Sequence, residues 1–285
     1  MKKKKAIIIA LCVVIVVLVR IFTPYLGKPF LIYCHCEKGK ETREDFYLSS
    51  KVNKVVIFSS DDPCIKFLRY CSGLEEIEII GSFSKAIDLN DIASPSLIKF
   101  DNAGKCVNWS GLNRCTELKH LHTYESDFKT TADISGLKNL ETLQIIETEI
   151  SLDKLNELKS LKSLTLLCSM EINCEDLSEL DKLETLNLGR NESMYNKNTR
   201  LKNTDQLNKL KNLKELNIRC QNDINCEDFA QLENLEVLSL ESDGKITGLD
   251  SVGMDNLIRI NIPITKLTNE AKKKLKEKGV FINYK

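Results

Sequence analysis

The amino-acid sequence predicts an α/β fold built as a solenoid of short stacked units behind one apolar N-terminal span. Three observations carry this. An apolar pattern recurs at a nearly fixed step of 22 residues. Each recurrence ends in a period-two alternation, which reads as a short strand with one face inward. A further apolar residue three positions upstream reads as a helical or 3₁₀ return. The composition agrees: 42% hydrophobic and 29% charged residues over 285 positions suffice for a packed core and exclude wholesale disorder. Lys plus Arg and Asp plus Glu number 41 each, which excludes a nucleic-acid binder working by bulk charge. Five of the bases lie in the first 26 residues, which contain no acid, so the remainder is acidic.

That basic start precedes a candidate membrane span. Lys2 to Lys5 lead into Ala6 to Val19, and past Arg20 the apolar character continues to Leu26. Ala6 to Leu26 is 21 residues, roughly 30 Å of helix at ~1.5 Å per residue. No small-x-small cleavage site follows Val19, so an uncleaved transmembrane signal anchor is expected, with the N-terminus cytoplasmic and the rest extracytoplasmic. Secretion after signal cleavage and a buried core helix are the alternatives. Neither Cys12 nor Cys34 follows the small residue that a lipoprotein cysteine requires.

The repeat starts are Val52, Leu74, Leu97, Leu118, Leu140, Leu161, Leu183, Leu213, Leu235 and Leu257, in steps of 22, 23, 21, 22, 21, 22, 30, 22 and 22. Positions +3 and +5 from each start are mostly apolar, as in Leu143 and Ile145 or Leu186 and Leu188. Position −3 holds Leu137, Leu158, Leu180, Leu210, Leu232 and Met254, with Cys71 and Cys115 in the same slot of earlier units. One such unit cannot bury its own apolar face, whereas stacked units bury a continuous core.

From Val52 to Ile262 this pattern resembles the leucine-rich repeat family in its short 22-residue form, and most resembles bacterial internalin-type surface ectodomains. The resemblance implies a curved solenoid with a parallel sheet on its concave side and protein ligands bound there. The family's usual Asn at position +8 occurs once, as Asn191; the slot otherwise holds Ser82, Lys105, Ser126, Thr148, Ser169, Gln221, Asp243 and Thr265, so the turn is expected to vary between units.

The expected organisation is a basic tail and span over 1–26, an N-terminal cap and linker over 27–51, repeats over 52–268 and a C-terminal cap over 269–285. Pro29 to Cys34 reads as a covering strand. Asn269 to Lys278 reads as a polar helix stopped by Gly279, with a last strand at Val280 to Ile282. The long step of 30 reads as a polar excursion over Gly189 to Asp205. Of the eleven cysteines, Cys71 and Cys115 read as small buried hydrophobes. Cys168 with Cys174, and Cys220 with Cys226, recur inside a duplicated segment, Ile-Asn-Cys-Glu-Asp, with local disulfides as a competing reading. No metal site is expected at either pair, nor at Cys34-His35-Cys36, and no cofactor is expected.

For function, the outward strand residues at +6 matter most: Phe58, Ile80, Ala103, Tyr124, Ile146 and Leu167, then Gly189, Arg219, Glu241 and Pro263. Six apolar residues in succession on a solvated sheet, with His120 and His122 beside Tyr124, read as a surface for a protein ligand. Tolerated exposure, or coverage by another segment, is the competing reading. A non-catalytic, membrane-anchored interaction module is therefore expected. A structural spacer is the alternative, and an enzyme using a Cys–His pair is a remote one, since no nucleophile–base pairing, phosphate loop or metal-ligand spacing appears.

Overall fold

The computed structural model describes residues 32–34, 53–58, 68, 73–81, 86–92, 94–124, 127–147, 149–190, 199–249 and 255–284. The expected membrane span at 1–26 lies outside them. Among the described residues no helix is long and apolar enough to cross a membrane.

Twelve strands form one sheet in sequence order: β1 (Ile32–Cys34), β2 (Lys54–Phe58), β3 (Glu76–Ile80), β4 (Lys99–Ala103), β5 (His120–Tyr124), β6 (Thr142–Glu147), β7 (Ser163–Cys168), β8 (Thr185–Gly189), β9 (Glu215–Cys220), β10 (Val237–Ser242), β11 (Arg259–Ile262) and β12 (Phe281–Tyr284). The strands of this sheet pair in parallel, and position +3 aligns with +3, as in Leu143, Leu164, Leu186 and Leu216. The period is therefore real, and each repeat contributes one strand.

Among the described residues, the apolar start, +3 and −3 side chains pack into one core that runs the length of the array. Leu158, Leu161, Leu164 and Leu166 of one unit are all fully buried. Each buried leucine contributes about 1.5–3 kcal/mol of apolar transfer. Three aromatics join this core: the Trp109 ring lies 4.6 Å from that of Phe128 and meets Phe100 edge-on at 6.4 Å.

Among the described residues, most returns between strands contain a short 3₁₀ turn, as at Thr131–Ile134, Cys174–Leu177 and Cys226–Phe229. Thr130, Asn173 and Asn225 cap these turns by accepting from the backbone N–H two residues on. At three other turns the preceding residue, Asn108, Lys154 or Asn203, is left-handed. Asparagine stitches the units together, but not at +8. At −1, Asn139, Asn212, Asn234 and Asn256 donate to the backbone carbonyls of Thr116, Asp181, Lys211 and Glu233 in the preceding unit, at 2.7–2.9 Å. At −5, Asn113 donates to the Asp133 carbonyl and accepts from the Gly136 N–H in the next unit.

The structure narrows the excursion. Gly189 ends β8, Arg200–Lys202 pairs with Glu171–Asn173, and Thr204–Lys209 is a regular return. The additional chain is thus confined to 191–198, outside the described residues. The local disulfides Cys168–Cys174 and Cys220–Cys226 do not form: all four are free, buried thiols, as are Cys106 and Cys115. Cys34, Cys36, Cys64 and Cys71 fall outside the described side chains. At the C-terminal end, helix α1 (Asn269–Glu277) is capped by Thr268, ends before left-handed Gly279, and leads into β12.

A regular column also runs along the N-terminal margin of the sheet. From Ile98 to Ile258, each residue at +1 donates its N–H to the carbonyl of the +1 residue one unit back. The side chains of this column are Ile98, Lys119, Glu141, Lys162, Glu184, Lys214, Glu236 and Ile258. Lys162 lies 2.8 Å from Glu141, and Lys214 lies 2.8 Å from Glu184. The long step between Leu183 and Leu213 leaves the column unbroken.

Candidate binding face of the sheet

Strand alternation sends positions +2, +4 and +6 to the face away from the core, giving three rows across the sheet. At the strand ends, the +6 row places Phe58 in register with Ile80, Ile80 with Ala103, Tyr124 with Ile146, and Ile146 with Leu167. Ile80 is 36% and Tyr124 39% exposed, and Ala103 is exposed as well. Ile146 and Leu167 are half-buried. The Phe58 side chain lies outside the described residues.

The row changes character at Gly189, which is buried. A Cβ there would come within 2.7 Å of the Arg219 carbonyl and 2.8 Å of its Cβ, so only glycine fits. Beyond it the row is ionic. Glu241 takes Arg219 Nε at 3.0 Å and Arg190 at 3.2 Å, and Arg190 also reaches Asp243 at 2.9 Å. The apolar strip therefore ends at Leu167.

Apart from Val56 and Val237, the +2 and +4 rows are polar. On β2 to β5 they form a chain of ion pairs. Lys54 joins Glu76 at 3.0 Å and Glu78 at 3.3 Å; Lys99 joins Glu76 at 3.2 Å and Asp101 at 2.5 Å. Nδ1 of His122 lies 2.9 Å from Oδ1 of Asp101, an oxygen that gains this donor only when Nδ1 carries the proton. Burial pushes the Asp101 carboxyl up, but the His122 and Lys99 contacts outweigh it and hold it below its ordinary value. The same balance, with Lys54 and Lys99 as partners, lowers Glu76. Further along, the +4 row becomes a ladder of amides and hydroxyls. Asn187 donates to Thr165 at 2.9 Å, Asn217 to Asn187, Asn261 to Ser239 at 2.7 Å, and Asn283 to Asn261 at 3.1 Å.

His120 and His122 thus share the face with Tyr124, as the alternation implies, but His122 is engaged by a carboxylate rather than facing solvent alone. The ion-pair chain and the amide ladder are site features that the sequence reading passed over. Their signal was present in the residue types recurring at +2 and +4. Among the described residues, no group of three or more His, Cys, Asp or Glu is placed to hold a metal ion.

No protein-family model and no curated protein matches this sequence. Solved structures do. An internalin, InlF, of Listeria monocytogenes aligns over 82% of this chain and 74% of its own, with a TM-score of 0.60 and 17% identity. The functional domain of InlJ from the same organism, which includes a cysteine ladder, aligns over 83% of this chain and 54% of its own, at 0.55 and 15%. A leucine-rich repeat protein of Leptospira interrogans aligns over 83% and 79%, at 0.50 and 16%. At these identities the likeness is one of architecture, and it agrees with the strand-per-repeat register: the chain has the leucine-rich repeat fold.

Proposed function

We propose that the chain is a non-catalytic protein-binding module whose ligand lies across the solvent face of the sheet, centred on Ile80, Ala103, Tyr124, Ile146 and Leu167. The observation that supports this most is the contrast between rows. The polar rows are largely satisfied by contacts within the sheet, whereas the apolar strip gains nothing by facing water. An aromatic at the centre of such a strip, ringed by polar groups, is the arrangement in which a few residues dominate binding. The fold shared with internalins favours the same reading. Residues 1–26 would tether the module to a membrane, with the repeats on the extracytoplasmic side.

The test is a separation of effects in the double variant Tyr124→Ser with Ile146→Ser. Its melting temperature should fall by no more than about 4 °C, because Ile146 is only half-buried and losing about 1 kcal/mol shifts a domain of this size by ~2–4 °C. Capture of protein ligands by the immobilised chain should weaken at least tenfold, since truncating a central anchor costs about 2 kcal/mol or more. Unchanged capture would move recognition off the strip. If neither wild type nor variant captures any protein, the spacer reading prevails. Protease added to intact cells should remove the repeats; their protection would overturn the placement outside.

A further inference from the structure

The charged column along the N-terminal margin is self-complementary. It reads Ile98, Lys119, Glu141, Lys162, then Glu184, Lys214, Glu236, Ile258. The six charges from Lys119 to Glu236 alternate strictly, and an exposed isoleucine flanks them on each side, Ile98 at 37% and Ile258 at 62%; beyond Ile98 the column runs on through Glu75 and Asn53. The backbone column behind them is continuous, so the side chains are presented at the regular strand spacing of ~4.8 Å over a length of roughly 34 Å. Alternation within one copy already sets Lys162 and Lys214 between glutamates and Lys119 beside Glu141. At such exposure these internal pairs hold the side chains loosely and leave their outer sides open to water.

Now turn a second copy by 180° about an axis normal to the sheet between Lys162 and Glu184. Lys162 then faces the partner's Glu184, Glu141 faces the partner's Lys214, Lys119 faces the partner's Glu236, and Ile98 faces the partner's Ile258. Each of the six charges gains an opposite charge on its open side, and the flanking isoleucines meet each other. A slip by one unit sets like against like. A slip by two restores charge pairing at the axis but sets an isoleucine against a charge, Ile98 against Lys214 in one direction and Ile258 against Glu141 in the other. An unrotated copy in register pairs lysine with lysine. Only the two-fold arrangement satisfies all eight positions, and it closes as a dimer.

We propose that this margin is a self-association surface on which two copies of the chain pair antiparallel. The strip is only one side chain deep, well below the ~800 Å² per partner of a standard stable interface. The dimer is therefore weak, dependent on concentration and sensitive to salt, which screens exposed charges beyond ~10 Å at 0.1 M. The specificity lies in the sign pattern rather than in buried area.

The test uses the full chain in detergent solution at low salt, treated with a zero-length carbodiimide that joins lysine to carboxylate. The expected result is a dimer band containing a Lys119–Glu236 cross-link. Within one chain these residues stand five strands apart, ~24 Å, beyond the reach of such a reagent. The yield of this cross-link should fall at least fivefold in 1 M NaCl. Lys162→Glu alone and Glu184→Lys alone should each lose it, because each homodimer then sets like charges at the axis. An equal mixture of the two variants should regain it, because Glu at 162 of one then faces Lys at 184 of the other, and vice versa. Rescue on mixing also shows that both variants are folded. The proposal is overturned by the absence of the Lys119–Glu236 cross-link in the wild-type dimer band, or by its persistence in both single variants or at high salt. Cross-linking to other proteins only would assign the margin to a different charged partner and overturn it equally.

Discussion

Leu186→Asp tests the register at the centre of the array. Leu186 is fully buried on β8, in register with Leu164 on one side and Leu216 on the other. Removing the leucine forfeits about 2–5 kcal/mol, the range for truncating a buried leucine, because its neighbours close only partly over the gap. The aspartate then brings a carboxylate into a layer of leucine and isoleucine side chains. It must be protonated or left unpaired there, which costs several kcal/mol more. The sum is at least ~5 kcal/mol, comparable with the whole stability of an ordinary domain. Because each strand pairs only with its neighbours in sequence, the loss falls first on the units flanking β8. Circular dichroism should show the variant's melting temperature lowered by more than about 10 °C, or a chain without a cooperative transition at all. A shift of a degree or two would mean that Leu186 is not in the core and that the inward phase of the repeat is misassigned.

Two further outcomes follow from buried polar groups. Thr123 occupies an inward +5 position, and its hydroxyl is buried without a hydrogen-bond partner; Thr123→Val should stabilise the chain by about 1 kcal/mol in urea titration, and a loss of stability would show that the hydroxyl is satisfied. Burial pushes the Cys168, Cys174 and Cys226 thiols up to about 12 from the ordinary 9.0. At pH 8 their alkylation in the folded chain should be about a thousandfold slower than that of a free thiol. These raised values leave stability unchanged below about pH 9 and lower it as the pH rises from 9 toward 12, because the unfolded chain releases its thiol protons first. Rapid alkylation of native protein, read by peptide mass spectrometry, would contradict the burial.

Much of this fold is legible in the sequence because strand phase and repeat period are both set by apolar side chains. Leu140, Leu143 and Ile145 announce start, inward and inward, and the structure buries all three. The +6 strip was legible for the same reason. Polar devices were harder, because a hydrogen bond needs two positions known in space. The stitches of Asn113 and Asn234 fall at −5 and −1, where nothing in a single unit distinguishes them from surface asparagines. The burial of Gly189 depends on Arg219, thirty residues away, and on an arginine at 190 that spans to β10. The extent of the excursion was overdrawn because Arg200–Lys202 is polar at its margins and shows only Leu201 as an inward signal.

The alternating margin also bears on how such a chain can lengthen. Ile172 to Asp176 and Ile224 to Asp228 are identical segments two units apart. The alternation of lysine and glutamate has that same two-unit period. Insertion of one unit would place two like charges on adjacent strands; insertion of a two-unit block leaves the order intact at both joins. It also leaves the charged run its own reverse complement, with isoleucine still on either side of it. Growth by paired units therefore conserves both the neighbour contacts within a chain and its fit to another copy, while growth by single units breaks both.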